Sequence, residues 1–289
     1  MNLLNVSNIR FNGADVKLAK INGVIIYRKN EEDALLIARY TANASGVLPT
    51  FNDTFEGYET EEVNNNGIYT VTIRTNKEDN LPTMISFNGK SNLLTVEYLK
   101  VTSKVTNMGY MFSGCTNLTS LDLSNFNTSE VTNMGYMFQN CTNLTSLDLS
   151  NFNTSEVDSM YGTFQNCTNL TSLDVRNFDT SKVTDMYGMF YGCTNLTSLD
   201  LSNFDVSNVT NMSNMFQSCN KLTSLDSMKN IATNLSLPAS LNEESVLDVI
   251  DNLATVTTTK TLTMSATQLS WVSEDKIIEA NNKGWTISA

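Results

Sequence analysis

The chain has 289 residues, no histidine and a formal net charge of −12 at pH 7, because 30 Asp and Glu outnumber 18 Lys and Arg. The lack of histidine excludes Ser-His-Asp triads and histidine-bound metals, and the negative charge disfavours binding to nucleic acid. The start, MNLLNVSNIRFNG, lacks the features of a signal peptide, and no apolar stretch reaches the roughly 20 residues of a membrane helix, so we expect neither general secretion nor membrane insertion.

The N-terminal part of the chain is predicted to be β-rich. Asn12-Gly13 and Asn22-Gly23 separate short apolar runs in residues 1–30, which is typical of a β-hairpin element. In residues 31–104, Asn66-Gly67 precedes the alternating run IYTVTIRT, which indicates a β-rich module. The end of this module, residues 92–104, is similar to a shortened repeat half and is predicted to cap the repeats that follow.

Residues 105–236 contain a nearly regular repeat. A cysteine recurs every 26 residues, and a valine and a phenylalanine precede each cysteine at constant distances. The five cysteines are Cys115, Cys141, Cys167, Cys193 and Cys219. Such a fixed period indicates units that bury their apolar faces against one another.

Each unit has two halves with different apolar spacing. In Val131–Glu156 the apolar residues first recur at steps of three and four, as on a helical turn, and then follow the pattern Leu144-x-x-Leu147-x-Leu149 of a short strand. A helix-like half and a strand half within 20–29 residues form the plan of a leucine-rich repeat. We therefore predict an α/β solenoid, a leucine-rich-repeat stack of five 26-residue units.

Residues 237–289 are predicted to close the solenoid as a small α/β module. Pro238 ends the repeat, and Ser240-x-x-Glu243 has the pattern of a capping box before an apolar helix. A strand around TLTM precedes a second helix, Ser273–Lys283, which Gly284 ends.

The outward positions of the predicted strands form the candidate binding surface. In Ser120–Ser124 the leucines point inward, so the intervening serine and aspartate point to the concave face. Neighbouring carboxylates about 5 Å apart in water repel by only about 0.8 kcal/mol, so no cation is required. This surface, the Ser/Asp row, is either a solvated face or a surface for carbohydrate, protein or cations. Its residues are Ser120, Asp122, Ser146, Asp148, Ser172, Asp174, Arg176, Ser198, Asp200, Ser224 and Asp226, and Arg176 is placed to pair with Asp174 or Asp148.

We predict no catalytic, metal or cofactor site. Metal-binding cysteines cluster at short spacings, and stacked Cβ atoms about 4.8 Å apart exceed the distance a disulfide requires, so reduced, buried thiols are expected. A regular carboxylate row also lacks the two distinct environments that split the pKa values of a glycosidase pair. The chain has no nucleotide-binding loop. We therefore expect no enzyme activity and no cofactor.

The repeat resembles the BspA-type leucine-rich repeats of bacterial surface proteins and of proteins encoded by phages of Firmicutes. VTNM, MF, C-x-N-L-T-S-L-D-L and S-N-F in Val105–Phe204 carry the resemblance, with a degenerate fifth unit through Asp226. The segment IRFNGADVKLAKINGVIIYR resembles N-terminal modules of phage tail and baseplate proteins. The ending, from KTLTM to KGWTIS, resembles the closing module of phage and prophage repeat proteins.

This resemblance implies a non-enzymatic structural and adhesive protein of a phage virion, in the tail, the baseplate or a fibre. The N-terminal module would bind other virion proteins, and the solenoid would bind a host cell-surface glycan or protein. We expect a homo-oligomer, with a trimer favoured, assembled through residues before about 100. The alternative is a bacterial cell-surface adhesin of the BspA type, and a glycan hydrolase is a third, disfavoured interpretation.

Overall fold

The computed structural model describes residues 7–11, 14–21, 24–29, 35–47, 50–51, 58–66, 68–75, 85–99 and 105–289. The predicted turns at Asn12-Gly13 and Asn22-Gly23 lie outside the described residues, as do residues 100–104 of the predicted cap. Three strands in the N-terminal segment, β1 (Ser7–Phe11), β2 (Ala14–Ile21) and β3 (Val24–Lys29), form an antiparallel sheet in that order.

A second sheet joins the β-rich segment to the first repeat. The next strands along the chain are β4 (Leu35–Ala42), β5 (Thr50–Phe51), β6 (Tyr58–Asn65), β7 (Ile68–Thr75), β8 (Ile85–Ser86), β9 (Leu93–Leu99) and β10 (Ser120–Leu121). Five of them form one sheet in the order β10-β9-β4-β7-β6, in which only β9 and β10 are parallel. Because β10 belongs to the first repeat, this sheet connects the two segments directly. β5 and β8 form a separate antiparallel pair.

Main-chain hydrogen bonds connect each 26-residue repeat to the next. In the first half of a repeat, every second N–H group donates to a carbonyl oxygen of the following repeat. Of the N–H groups between them, the second and third donate to carbonyls three residues back, whereas the first, at Gly109 and Gly135, donates to an asparagine Oδ1 two residues back. From the first repeat to the second, the donors are Met108, Tyr110, Phe112 and Gly114, and the acceptors are Asn133, Gly135, Met137 and Gln139, at 2.7–2.9 Å. The same alternation recurs in the next three repeats. The first half of the fifth repeat supplies carbonyl acceptors to the fourth repeat, but among the described residues its own N–H groups donate to no further repeat.

The prediction of a helix-like half is wrong. Residues 105–242, all of which the structure describes, contain no α-helix, and the first half of each repeat consists of turns. An α-helix directs every N–H group to a carbonyl four residues back in its own segment. Here half of these groups donate to the next repeat, so consecutive turns, rather than a helix, produce the apolar spacing of three and four.

Two positions in each repeat have positive φ, which bends the chain through these turns. Their φ values are 55–73°, a region that glycine and asparagine adopt most readily. The first position is occupied by Tyr110, Tyr136, Gly162, Gly188 and Asn214, and the second by Gly114, Asn140, Asn166, Gly192 and Ser218. Glycine or asparagine occupies seven of these ten positions, in line with this preference, whereas tyrosine or serine adopts the same conformation at the other three.

The strand half is also less regular than predicted. Strands occur at Leu121 in β10, in β11 (Ser198–Asp200) and in β12 (Ser224–Asp226), and β11 and β12 are parallel. No strand is present at Leu147 or Leu173, where the sequence predicted one. At these repeats asparagine amides replace the main-chain ladder, because Nδ2 of Asn151 and of Asn177 donates to main-chain carbonyls of the preceding repeat.

The core of the repeat segment consists of columns of identical side chains. Five phenylalanines stack with ring centroids 5.7–6.0 Å apart and interplanar angles of 2–8°. This column comprises Phe112, Phe138, Phe164, Phe190 and Phe216, and Phe87 of the β-rich segment extends it at 5.8 Å. A second column contains Phe126, Phe152, Phe178 and Phe204. The repeated valine and cysteine are buried beside them.

The C-terminal module contains three parallel strands and three helices. The elements are β13 (Leu235–Ser236), α1 (Glu243–Asp251), β14 (Lys260–Thr263), α2 (Ala266–Leu269), α3 (Glu274–Asn282) and β15 (Trp285–Ser288). The strands pair in the order β13-β14-β15. The predicted strand and second helix coincide with β14 and α3, and Gly284, with φ of 91°, follows α3. The sequence did not predict α2.

The predicted capping box at Ser240 is wrong. The N-cap of α1 is Asn242, whose side chain accepts a hydrogen bond from the Ser245 N–H. Ser240 Oγ instead donates to the Leu222 carbonyl at 2.6 Å, so this serine attaches the module to the last repeat. The Ser-x-x-Glu spacing does not by itself identify an N-cap, because Ser240 matches it although it lies two residues before the N-cap, Asn242. A capping box does occur in α2, between Ser265 and Gln268.

Candidate functional site

The Ser/Asp row lies along one exposed face of the repeats. Asp122, Asp148, Asp174 and Asp226 are exposed, and Asp200 is half-buried. In β11 and β12 the register pairs Ser198 with Ser224 and Asp200 with Asp226, so equivalent side chains of successive repeats are neighbours. The leucine after each serine faces inward, although Leu121 and Leu147 are only half-buried.

Four aspartates of the row shape the turn that follows them. In each case the carboxylate accepts a hydrogen bond from the main-chain N–H two residues later, which is an Asx turn. The pairs are Asp122 with Ser124, Asp148 with Ser150, Asp174 with Arg176 and Asp200 with Ser202, at 2.9–3.1 Å. These aspartates therefore have a structural role in the repeat, whether or not they also bind a ligand.

Seven residues of the row line one cleft of about 310 Å³. They belong to the third, fourth and fifth repeats, and Leu173 and Leu199 form the floor between them. The seven are Ser172, Asp174, Arg176, Ser198, Asp200, Ser224 and Asp226. The other four, Ser120, Asp122, Ser146 and Asp148, lie on the same row outside this cleft.

Arg176 pairs with Asp174 of its own repeat, which decides between the two partners that the sequence left open. Its Nε donates to Oδ1 at 3.0 Å and its Nη2 to Oδ2 at 2.7 Å, a bidentate geometry. Both side chains are 62% exposed, so the pair stabilises the fold little. Its main consequence is to hold a planar array of donors and acceptors at the rim of the cleft.

Three carboxylates of the row have lowered pKa values. The side-chain and main-chain hydrogen bonds from Arg176 lower the pKa of Asp174 to about 2. Hydrogen bonds from Ser202 lower the pKa of Asp200, and those from Ser150 lower the pKa of Asp148. All three carboxylates are therefore ionised acceptors at neutral pH.

The cysteines lie in the core, away from the row. Each of the five thiols is free and buried and donates to the carbonyl of a phenylalanine in the preceding coil, at 3.0–3.2 Å. Burial raises the pKa of Cys115 and of Cys219 to about 12 and raises that of the three central thiols as well. Their hydrogen bonds thus depend on the protonated thiol. Among the described residues, no three His, Cys, Asp or Glu side chains converge as metal ligands.

The Ser/Asp row extends beyond the repeats, onto residues that the sequence did not predict to be part of it. Thr95 of β9 lies opposite Ser120 of β10, and its Oγ1 is 2.7 Å from Oγ1 of Thr41 in β4. These hydroxyls continue the row from the repeats onto the second sheet. The signal was present, because LLTVE at residues 93–97 aligns with the repeat segment LTSLD.

The fold and this face together define a repeat protein, in which equivalent residues of successive 26-residue units form continuous columns and rows. A family profile matches residues 79–194 and 145–236, which together make up more than half of the chain. The chain therefore belongs to this family, described as Mycoplasma protein of unknown function, DUF285. The match is compatible with a BspA-type repeat. Comparisons with curated proteins and with solved structures found no match. None of the helices in the described residues has the length and hydrophobicity needed to cross a membrane.

Proposed function

We propose that this chain is a non-enzymatic structural and adhesive protein of a phage virion, located in the tail, the baseplate or a fibre. Its repeat segment acts as a leucine-rich-repeat solenoid that binds the host surface, and its N-terminal module attaches it to other virion proteins. The observation that carries the proposal is the cleft on the Ser/Asp row, because it gathers ionised carboxylates, hydroxyls and a guanidinium on one face of a repetitive scaffold.

A stacked scaffold suits adhesion because its binding groups are ordered before the ligand arrives. Main-chain hydrogen bonds and the phenylalanine columns hold the repeats together, and the parallel pairing of β9 with β10 extends this order to the second sheet. A rigid connection between the attachment module and the binding face would keep the binding face at a fixed position relative to the point of attachment. Several copies on one particle would multiply weak individual contacts.

The chemistry of the cleft favours a neutral glycan as the host ligand. Sugar hydroxyls both donate and accept hydrogen bonds, and the cleft offers carboxylate acceptors at Asp174 and Asp200 and donors at Arg176. The lowered pKa values of these aspartates support binding over hydrolysis, because a glycosidase acid requires a carboxyl group whose pKa is raised.

The alternative is a bacterial cell-surface adhesin of the BspA type. The description of the matching family names Mycoplasma proteins, which favours a bacterial role over a viral one. Both candidates use the same binding face and differ in where the protein resides.

Antibody labelling separates the two candidates. Antibodies against the chain would be applied to phage particles induced from the encoding strain and to intact cells of that strain. Gold particles on the virion tail support the proposal, whereas labelling confined to the cell envelope supports the adhesin and overturns the virion assignment.

Matched aspartate variants test the binding face. We expect Asp174→Asn and Arg176→Ala to weaken glycan-array or host-cell binding by the purified chain. Asp148→Asn is the control, because Asp148 forms the same Asx turn on the same row outside the cleft. Equal binding by all three variants and the unmodified chain would exclude the cleft as the receptor site.

A further inference from the structure

The alternating hydrogen bonds between repeats end at the fifth repeat. In the fourth repeat, four N–H groups donate to carbonyls of the fifth at 2.8–3.0 Å, from Met186, Gly188, Phe190 and Gly192. The equivalent donors of the fifth repeat are Met212, Asn214, Phe216 and Ser218. In the part of the chain that the structure describes, no carbonyl or side chain accepts from these four N–H groups. The last repeat thus ends in a row of unused main-chain donors.

The C-terminal segment, which the structure describes in full, contacts both halves of this repeat, but it accepts no hydrogen bond from the four donors. In the first half its contacts are side-chain hydroxyls, because Thr233 Oγ1 donates to the Thr210 carbonyl at 3.2 Å and Ser240 Oγ to the Cys219 carbonyl at 3.3 Å. In the second half the contacts include the main chain. The Asn242 N–H donates to the Thr223 carbonyl at 2.9 Å, and Ser245 Oγ accepts from the Leu225 N–H at 2.8 Å. Next to the unused donors there is instead a cleft of about 480 Å³, which we call the terminal cleft. Asn214, Phe216 and Ser218 form one wall, and residues 236–240 form the other.

The side chains that line the terminal cleft favour a ligand with uncharged hydrogen-bond acceptors. Amide, hydroxyl and apolar side chains line it, and no charged side chain does. Its volume lies within the range of about 300–1,000 Å³ that ligand sites occupy. In every preceding repeat the partner of these N–H groups is a main-chain carbonyl of an added coil. A polypeptide in the same conformation therefore matches both the donors and the lining.

A second copy of this chain cannot supply that coil from the opposite end of the stack. There, the N–H groups of Phe87 and Gly89 donate to the first repeat, so residues 85–89 form the outermost coil among the described residues. β5 already pairs with β8 in this coil, at Thr50–Ser86 and Phe51–Ile85. The surface that could continue the stack from another copy is thus covered, which favours a segment of a different protein as the occupant.

We propose that the terminal cleft binds a polypeptide segment of a partner protein, which adds a sixth coil by accepting main-chain hydrogen bonds from Asn214, Phe216 and Ser218. Addition of chain to an unpaired main-chain edge is a recurrent mode of peptide recognition, in which the hydrogen bonds give affinity and side-chain pockets give specificity. This site is separate from the Ser/Asp row and does not depend on the function proposed for that row.

Amide hydrogen exchange tests the proposal on the full chain. The probe is a synthetic peptide with the sequence of residues 183–196, VTDMYGMFYGCTNL, which in the protein supplies the carbonyls of Asp185, Tyr187, Met189 and Tyr191 to the third repeat. Without peptide, the amides of residues 214, 216 and 218 should exchange faster than those of 188, 190 and 192. Peptide at ten times its Kd should slow the first group about tenfold, and a scrambled peptide should not.

Substitutions at exposed alanines provide the control. Ala239→Trp would fill the terminal cleft and should abolish protection by the peptide, whereas Ala266→Trp, at an exposed position of α2 outside the cleft, should leave it unchanged. The proposal is overturned if the three amides are already protected in the free chain, or if the peptide protects none of them. It is equally overturned if a saccharide or phosphate protects them and the peptide does not, or if Ala239→Trp has no effect.

Discussion

A buried threonine near the end of three repeats joins its repeat to the next by two hydrogen bonds. Thr154 Oγ1 donates to the Asp179 carbonyl at 2.9 Å and accepts from the Asp179 N–H at 2.8 Å, and Thr128 and Thr180 make the same pair of bonds. The fourth repeat has Val206 at this position. In the fifth repeat, Ile231 carries the N–H group equivalent to that of Asp179. This N–H donates to the Asn252 carbonyl, so it does not need a threonine hydroxyl as its acceptor.

This contrast predicts the effect of removing one hydroxyl. Thr154→Val keeps the shape of the side chain but leaves the partly buried N–H and carbonyl of Asp179 without their partner. We expect a loss of about 1–3 kcal/mol in the free energy of unfolding, measured by denaturant titration. Val206→Thr is the matched control and should give no gain in stability. A Thr154→Val chain as stable as the parent would show that water replaces the hydroxyl.

The buried thiols predict a dependence of stability on alkaline pH. Folding raises the pKa of Cys115 and Cys219 from 9.0 to about 12. The stabilisation is therefore complete below pH 9 and is lost as pH rises from about 9 towards 12, because the unfolded chain releases these protons first. We expect the melting temperature to fall across this interval. Replacement of the thiols by Ala should flatten that fall, and an unchanged slope would assign it to the tyrosines, since the pKa of Tyr161 is also about 12.

Two tyrosines fix the contact between the second and third repeats. The order Gly135-Tyr136 reverses to Tyr161-Gly162, so each ring packs over the glycine of the other repeat. The two rings meet edge to face, with centroids 4.6 Å apart and an interplanar angle of 84°. A Cβ atom on Gly135 would lie 2.3 Å from the Tyr161 ring.

A double-mutant cycle measures this contact. Gly135→Ala should destabilise the chain by about 1–3 kcal/mol, because the added methyl group overpacks the ring. In a Tyr161→Ala background the same substitution should cost much less, since the obstructing ring is gone. Denaturant unfolding of the two single variants and the double variant provides the coupling energy. Additive losses would mean that the ring moves aside freely.

The acidic groups of the chain predict how its stability responds to low pH. The pKa values of Asp148, Asp174, Asp200 and Asp205 are lowered from 3.8 by hydrogen bonds that form in the folded chain. Their stabilisation is present above pH 3.8 and is lost as pH falls through the folded-state values, down to about 2 for Asp174. We expect the melting temperature at constant ionic strength to fall from pH 4 to pH 2. A chain that melts higher at pH 2 than at pH 5 would contradict these shifts.

Much of the architecture follows from the amino-acid sequence alone, because a strict period constrains equivalent residues to equivalent places. The 26-residue spacing identified the buried cysteine and phenylalanine columns, and the alternation in residues 120–124 identified the exposed row. Local signals also identified β7, β14 and α3, since turn residues and caps act over a few positions. The solenoid as a whole, the trimer and the virion location stay predictions.

Several features of the fold are determined by contacts with the neighbouring repeat and not by the local sequence. The same apolar spacing fits a helix or consecutive turns, and only the donation of every second N–H to the next repeat selects the turns. Arg176 could reach Asp148 or Asp174, and the Asx turn places its guanidinium beside Asp174. β9 pairs with β10 although the two strands are distant in sequence. Within the described part of the chain, the donors of the fifth repeat are unused although the equivalent donors of the preceding repeats are paired. Such contacts leave no local pattern because they form only when the coils are stacked.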